Sequence, residues 1–187
     1  MRFRVAVLLT AVPLAAFVGL ACRSQPKAPD ASAIVEKLKS PDATVSGAAS
    51  LELLRLGEPA TAALVTLLQD PDPTMRALAA RTFWGMGPRA GVSAVAPLAD
   101  ALADADGSVR LGAAMALDNM GPIAAPAVPA LVKALHDPDT NVRTWAARAL
   151  GNIGPAAEAA VPALQKAGRL DGVQGPAEEA IRKIRTR

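Results

Sequence analysis

Apolar residues recur along this chain in steps of four, four and three. Met75, Ala79, Phe83 and Met86 form one such column, Val109, Ala113, Leu117 and Met120 a second, and Val142, Ala146, Leu150 and Ile153 a third. Val45, Ala49, Leu53 and Leu56 keep the same steps nearer the N-terminus. Spacing of that kind draws one stripe down a helix. Between the columns lies a second set of stripes: Leu64 and Leu68; Val95, Leu98 and Leu102; Val128, Leu131 and Leu135; Val161 and Leu164. No stretch alternates with the period of two that a half-buried strand requires. The pattern predicts helix pairs at 43–56 and 60–69, 73–86 and 93–103, 107–120 and 126–136, and 140–153 and 158–168. A starter helix within 30–40 precedes them and a cap helix at 176–186 follows.

The polar positions explain the boundaries. Asp42, Asp72, Asp106 and Asp139 each stand before a helical run, where a carboxylate can accept from free backbone N–H groups, and Pro73 suits a first helical position. Gly57, Gly87, Gly121 and Gly154 stand where the same helices close and a left-handed residue is wanted, and Pro88, Pro122 and Pro155 forbid continuation. The steps Asp72 to Asp106 and Asp106 to Asp139 are 34 and 33 residues, a period that marks stacked supersecondary units. Residues 30–187 therefore read as one repeat domain, with repeats at about 41–70, 71–103, 104–136 and 137–169. Alanines at the remaining inward positions allow close helix approach. Arg76, Arg110 and Arg143 recur with the aspartates, and the expected role of these pairs is structural: an arginine can bridge to the next repeat's carboxylate or to carbonyls.

The string from Asp137 to Pro155, Asp-Pro-Asp-x-x-Val-Arg-x-x-Ala-Ala-x-Ala-Leu-Gly-x-Ile-Gly-Pro, resembles the bacterial HEAT-like repeats of phycobilisome lyases, and three of the four repeats match it closely. The resemblance implies an all-α solenoid of about four helix pairs in a right-handed superhelix, first helices convex and second helices concave. It implies members that mostly bind other proteins, with a minority of enzymes. The iron-binding His-Glu pairs of HEAT-like deoxyhypusine hydroxylases are replaced here by Ala79-Ala80, Ala113-Ala114 and Ala146-Ala147, so that activity does not carry over. Three Phe, two Trp and no Tyr leave little to line a bilin groove. With one histidine, His136, and one cysteine, Cys22, neither a metal site nor a cofactor is expected. The acids read as caps and surface residues without an apolar setting to raise a pKa. The expectation is a non-catalytic protein-interaction scaffold; a lyase- or hydroxylase-like enzyme or maturation factor is the alternative.

The N-terminus changes the setting. Met1-Arg-Phe-Arg4 precedes an uncharged run from Val5 to Ala21, which has the layout of an export signal. Its 17 residues make about 25 Å of helix, short of the roughly 30 Å hydrocarbon layer. Val18-Gly-Leu-Ala-Cys22 resembles the lipobox of bacterial lipoproteins, which implies removal of 1–21, acylation of Cys22 and a tether at 22–29. Arg23 follows the cysteine rather than an aspartate, which by the same resemblance points to the outer membrane. Loss of Arg2 and Arg4 leaves 18 basic against 17 acidic residues, and Arg182, Lys183, Arg185 and Arg187 crowd the C-terminus. No broad basic stripe is left for nucleic acid.

Two surfaces remain as candidates for partner binding. On the first helices, positions one, five and eight beyond the repeat arginine are expected to face outward, and there stand Leu51, Leu54, Trp84, Leu111 and Met115. Either the starter helix and tether cover them or they form an exposed patch. On the second helices Thr66, Asp100, Lys133 and Lys166 share one column, with Gln69, Ala103, His136 and Arg169 a turn on, so charge drifts toward basic along the stack and leaves open an anionic partner in the C-terminal half of the concave groove. The alternative for that column is an ordinary solvated face. Ile181 and Ile184 are expected to pack the cap helix on the fourth repeat.

Overall fold

A carboxylate at the mouth of each first helix sets its start. The computed structural model describes residues 30–170 and 172–186. Among them α1 (Ala31–Leu38) precedes four pairs: α2 (Ala43–Leu56) with α3 (Thr61–Leu67), α4 (Pro73–Met86) with α5 (Val95–Ala101), α6 (Gly107–Met120) with α7 (Val128–Ala134), and α8 (Thr140–Ile153) with α9 (Val161–Ala167). Helix α10 (Gln174–Arg185) closes the stack. Asp42, Asp72, Asp106 and Asp139 each hold extended backbone and accept from the N–H two residues on at 2.8 Å. That bond satisfies one of the helix's orphan donors.

The four first helices span the residues expected of them, whereas the second helices are shorter. Each second helix is entered through 3₁₀ turns: Glu58–Ala60, Gly87–Ala90 with Val92–Ala94, Gly121–Ala127, and Gly154–Ala160. Pro88, Pro122, Pro126 and Pro155 lack the N–H that an α ladder needs, so the chain winds tighter with i→i+3 bonds before α geometry resumes. Gly57 and Gly121, at φ 65° and 60°, have ψ of −135°, which lies outside the left-handed helical region the sequence suggested. It is a conformation open essentially to glycine alone.

The core is a single layer between first and second helices. Leu53, Phe83, Leu117 and Leu150 from the first set meet Leu64, Leu98, Leu131 and Leu164 from the second, all fully buried. Each contributes about 2 kcal/mol relative to an exposed side chain. Small residues then bring neighbouring first helices together, with Gly112 against Ala80, Gly151 against Ala180 and Gly85 against Leu54. Helix α10 packs on α8 as α8 packs on α6, so the cap stands in for a fifth first helix. Ile184 is buried and Ile181 half-buried against the core, as expected of the cap.

Val45, Leu54, Asp118 and Gly151 depart from the sequence reading. Val45, assigned to the core column, is 40% exposed. Helix α1 seats Ile34, Val35 and Leu38 against the first pair, and among the described residues no earlier first helix covers the outer flank of α2. Position eight beyond the repeat arginine, or beyond Ser46 in the first repeat, faces solvent in the second repeat alone of the four, where Trp84 is 41% exposed: Leu54 is half-buried, and Asp118 and Gly151 are buried. That column lies at the seam between successive first helices, where Leu54 meets Gly85 and Gly151 meets Ala180.

Candidate functional site

The most regular polar residues hold the stack together. Arg76 donates from Nε and Nη2 to the two carboxylate oxygens of Asp104, each at 2.8 Å, and from Nη1 to the carbonyls of Asp70 and Pro71. Arg110 repeats the arrangement on Asp137 at 2.7 and 3.1 Å, with Nη1 on the carbonyls of Asp104 and Ala105. Lys39 reaches Asp70 at 3.5 Å, and Arg143 donates to the carbonyls of Asp137 and Pro138. Asp104 and Asp137 also accept from the N–H groups of Asp106 and Asp139 at 2.8 Å. A two-pronged, half-shielded pair of this kind fixes the register of one repeat on the next. The Arg76 guanidinium holds the Asp104 carboxyl below the usual carboxylate range, and Asp104 in turn raises Arg76.

One polar group was not legible as a site residue. Asp118, only 7% exposed, accepts from Asn152 Nδ2 at 2.7 Å and faces Arg148 at 3.7 Å. Asn152 Oδ1 accepts from Lys183 of α10 at 2.9 Å, so the carboxylate, amide and ammonium tie the third repeat, the fourth and the cap. Burial pushes the Asp118 carboxyl up, against the pull of Arg148, Asn152 and Lys183. This corrects the expectation that no acid here has an apolar setting. The available signal was the register: Asp118 stands one repeat before Gly151, and Asn152 adjoins it. Asn119 makes the parallel contact one repeat earlier, donating to the Trp84 carbonyl at 2.7 Å.

The outer apolar candidates separate. Leu51 is 60% and Trp84 41% exposed, whereas Leu54, Leu111 and Met115 are half-buried. Helix α1 packs elsewhere and leaves Leu51 and Trp84 in solvent, which removes the starter helix as their cover; the tether and Cys22 lie outside the described residues. Of the five candidates only Leu51 and Trp84 thus remain exposed, joined on the first helices by Val45, while Leu54 packs on Gly85.

On the other face, Asp100, Lys133, His136, Lys166 and Arg169 are all exposed, as expected. Asp100, Lys133 and His136 edge a groove of about 350 Å³ between α5 and α7, walled by Ala99, Ala103, Ala130 and Ala134. Among the described residues, no group of three His, Cys, Asp or Glu side chains is placed to hold a metal ion, and no helix is long and apolar enough to cross a membrane.

The model for HEAT repeats matches residues 31–117 and 95–182. No curated protein matches the chain. Among solved structures, the complex of CpcE and CpcF of phycocyanin lyase from Nostoc sp. PCC7120 is similar with a TM-score of 0.65 at 23% identity, over 80% of this chain and 96% of that one. A designed armadillo repeat protein in complex with the peptide (KR)4 gives 0.63 at 22% identity, over 82% and 81%. An engineered protein from a structural genomics consortium gives 0.59 at 28% identity, over 82% and 78%.

Proposed function

The chain belongs to the HEAT-repeat family, and from that premise we propose that it is a non-catalytic protein-interaction scaffold, lipid-anchored through Cys22 on the outer membrane of a bacterial envelope. One observation carries the scaffold reading. The arginines that recur in the second to fourth repeats are consumed inside the stack, whereas Leu51, Trp84 and the Asp100-to-Arg169 row, which differ between repeats, are exposed. Arg76, Arg110, Asp104 and Asp137 satisfy one another, and among the described residues the groups with displaced pKa values are Arg76, Asp104 and Arg110 in those ties, Lys39 beside Glu36 and Asp70, and the buried Asp118. A displaced pKa in a cleft would favour chemistry; here each has a structural partner. What is left free is surface: Leu51 and Trp84 on one face, the Asp100-to-Arg169 row on the other. Exposed aromatic and apolar side chains of this kind are the usual anchors of a protein interface.

The anchor rests on sequence alone: an apolar run that ends at the chain's one cysteine, followed by a short polar segment with Pro26 and Pro29. Several acyl chains on one residue would hold the protein stably on a bilayer. The experiment is crosslinking in cells from photoreactive residues at positions 84 and 133, beside a Cys22→Ser variant followed by membrane fractionation. Protein adducts at either position and release of the variant from the membrane are the expected results. Absence of any protein adduct would sink the scaffold reading, and a variant that stays on the membrane would sink the anchor. Trp84→Ala is expected to lose the adducts made from neighbouring positions while changing stability by no more than about 1 kcal/mol, because the ring is already part-solvated.

A further inference from the structure

We infer that the second-helix face of the third and fourth repeats docks an extended acidic segment of a partner protein, with carboxylates about three residues apart. The inference names the partner class for the scaffold proposed above and rests on that reading. It begins from a contrast within the molecule. On the helix-start ridge, Lys39, Arg76 and Arg110 each meet a carboxylate of the following repeat. On the second-helix face, Lys133, His136, Lys166 and Arg169 are exposed and have no carboxylate partner among the described residues. The stack neutralises Lys39, Arg76 and Arg110 with carboxylates of its own and leaves Lys133, Lys166 and Arg169, with His136 beside them, exposed in one recurring register.

Their placement is periodic. Lys133 and Lys166 are one 33-residue repeat apart, as are His136 and Arg169, so Lys133 and Lys166 hold a single register on successive helices α7 and α9, and His136 and Arg169 hold matching places in the turns that follow them. Lys133 and Lys166 fall in the last turns of those helices, where the dipole favours a cation, yet their outer sides remain unpartnered. Neighbouring helices in such a stack lie about 8–10 Å apart, and an extended chain advances about 3.3 Å per residue. Every third residue of a strand laid across the helices therefore meets the next repeat. Ala99, Ala103, Ala130 and Ala134 wall the adjoining groove, and their short side chains let a backbone come close. In the second repeat the same register holds Asp100 and Ala103, so the acidic stretch ends there and a neutral or basic residue follows. A flat anionic bilayer would meet the Asp100 carboxylate in the same row, which favours a peptide that can match the change of sign.

The test is fluorescence anisotropy on the full chain in mild detergent, with three labelled twelve-residue peptides: glutamate at every third position, the same composition with glutamates contiguous, and lysine at every third position. The spaced acidic peptide is expected to bind tightest, and Lys133→Glu with Lys166→Glu to weaken it by about tenfold or more. Lys133→Gln with Lys166→Gln is expected to weaken it less, Asp100→Lys to tighten it, and Arg81→Glu on the first-helix side to leave it unchanged. Equal binding of the lysine peptide or the contiguous peptide overturns the inference, as does equal weakening by Arg81→Glu. Phosphatidylglycerol vesicles serve as the second probe: vesicle binding abolished by the double reversal, with no peptide binding, assigns the row to lipid headgroups and also overturns it. If the peptides fail while crosslinking from positions 84 and 133 still yields protein adducts, this inference falls and the scaffold reading stands. If crosslinking yields none, the scaffold reading itself falls.

Discussion

Replacing Gly112 by alanine sets two effects of known size against each other. In a helix interior, alanine is favoured over glycine by about 1 kcal/mol because the unfolded chain has less freedom to lose. A Cβ built on Gly112 would stand 2.8 Å from the Ala80 Cβ and 3.6 Å from the Ala80 carbonyl carbon and the Arg81 nitrogen. Real Cβ atoms do not approach so closely, and Ala80 has no rotamer by which to retreat. Relief must come from separating α4 from α6 across a fully buried seam, at about 1–3 kcal/mol for overpacking of this kind. Overpacking wins, and Gly112→Ala is expected to destabilise by about 1 kcal/mol net, lowering Tm by about 2–4 °C for a chain of this size. Gly47 supplies the control: it lies inside α2, is exposed, and its added Cβ would meet nothing within 4 Å. Gly47→Ala is expected to stabilise by up to about 1 kcal/mol. Moving the methyl across the seam, in Gly112→Ala with Ala80→Gly, should recover most of the loss, which makes the pair strongly non-additive. Urea unfolding followed by circular dichroism reads all four proteins. If Gly112→Ala equals or exceeds the parent while Gly47→Ala gains, the close approach of α4 and α6 is not what limits this seam.

Two further predictions concern charge. Asp104→Asn keeps an acceptor for the Asp106 N–H but loses the carboxylate that binds Arg76, and a cost of about 2 kcal/mol at neutral pH is expected for a charge-assisted pair of this geometry. Since Arg76 depresses the native pKa of Asp104, this stability is complete above the unfolded value near about 3.9 and disappears as pH falls through the native one. Denaturation curves of parent and variant should converge below that range, and a gap that survives there would show the ion pair is not its source. Asp118 has the opposite sign: burial raises its native pKa, so the native state holds the proton more tightly than the unfolded chain and ionisation at neutral pH opposes folding. Asp118→Asn, which keeps an oxygen for Asn152, is expected to match or exceed the parent's stability at pH 7 and to lose that advantage as the pH falls. A variant that is less stable at pH 7, by a margin that grows in acid, would refute the account.

The boundaries of the first helices could be read off the chain because their signals are local. Asp72 and Pro73 begin α4 and Gly87 with Pro88 end it through bonds to residues two to four positions away, and the same holds for α2, α6 and α8. The second helices were read too long because an apolar stripe such as Val128, Leu131 and Leu135 fits either winding, while Pro122 and Pro126 decide for 3₁₀ in the segment before it. The candidate surfaces were half legible. Outward placement of Lys133 and Lys166 follows from register on one helix, which the sequence states, whereas His136 and Arg169 fall in the turns just past α7 and α9, because those helices end sooner than the stripes suggest. The status of Leu54, Asp118 and Gly151 depends on how far each repeat rotates on its neighbour, and that is stated nowhere along a single helix.

By itself, then, the chain determined its helices, their period and the division into recurring and variable residues, because capping, glycine and proline stops and helical stripes act over a few positions. It also marked the recurring arginines as ties between units, but the carboxylates that Arg76 and Arg110 meet are Asp104 and Asp137, two positions before the cap residues Asp106 and Asp139 that the repeat singles out. Tertiary structure alone decided which columns form the seam between units. There glycine and alanine let the backbones close to contact at Gly112 and Gly151, so Asp118 is enclosed and burial pushes its carboxyl up, whereas Leu51, on the first of the described repeats, stays in water.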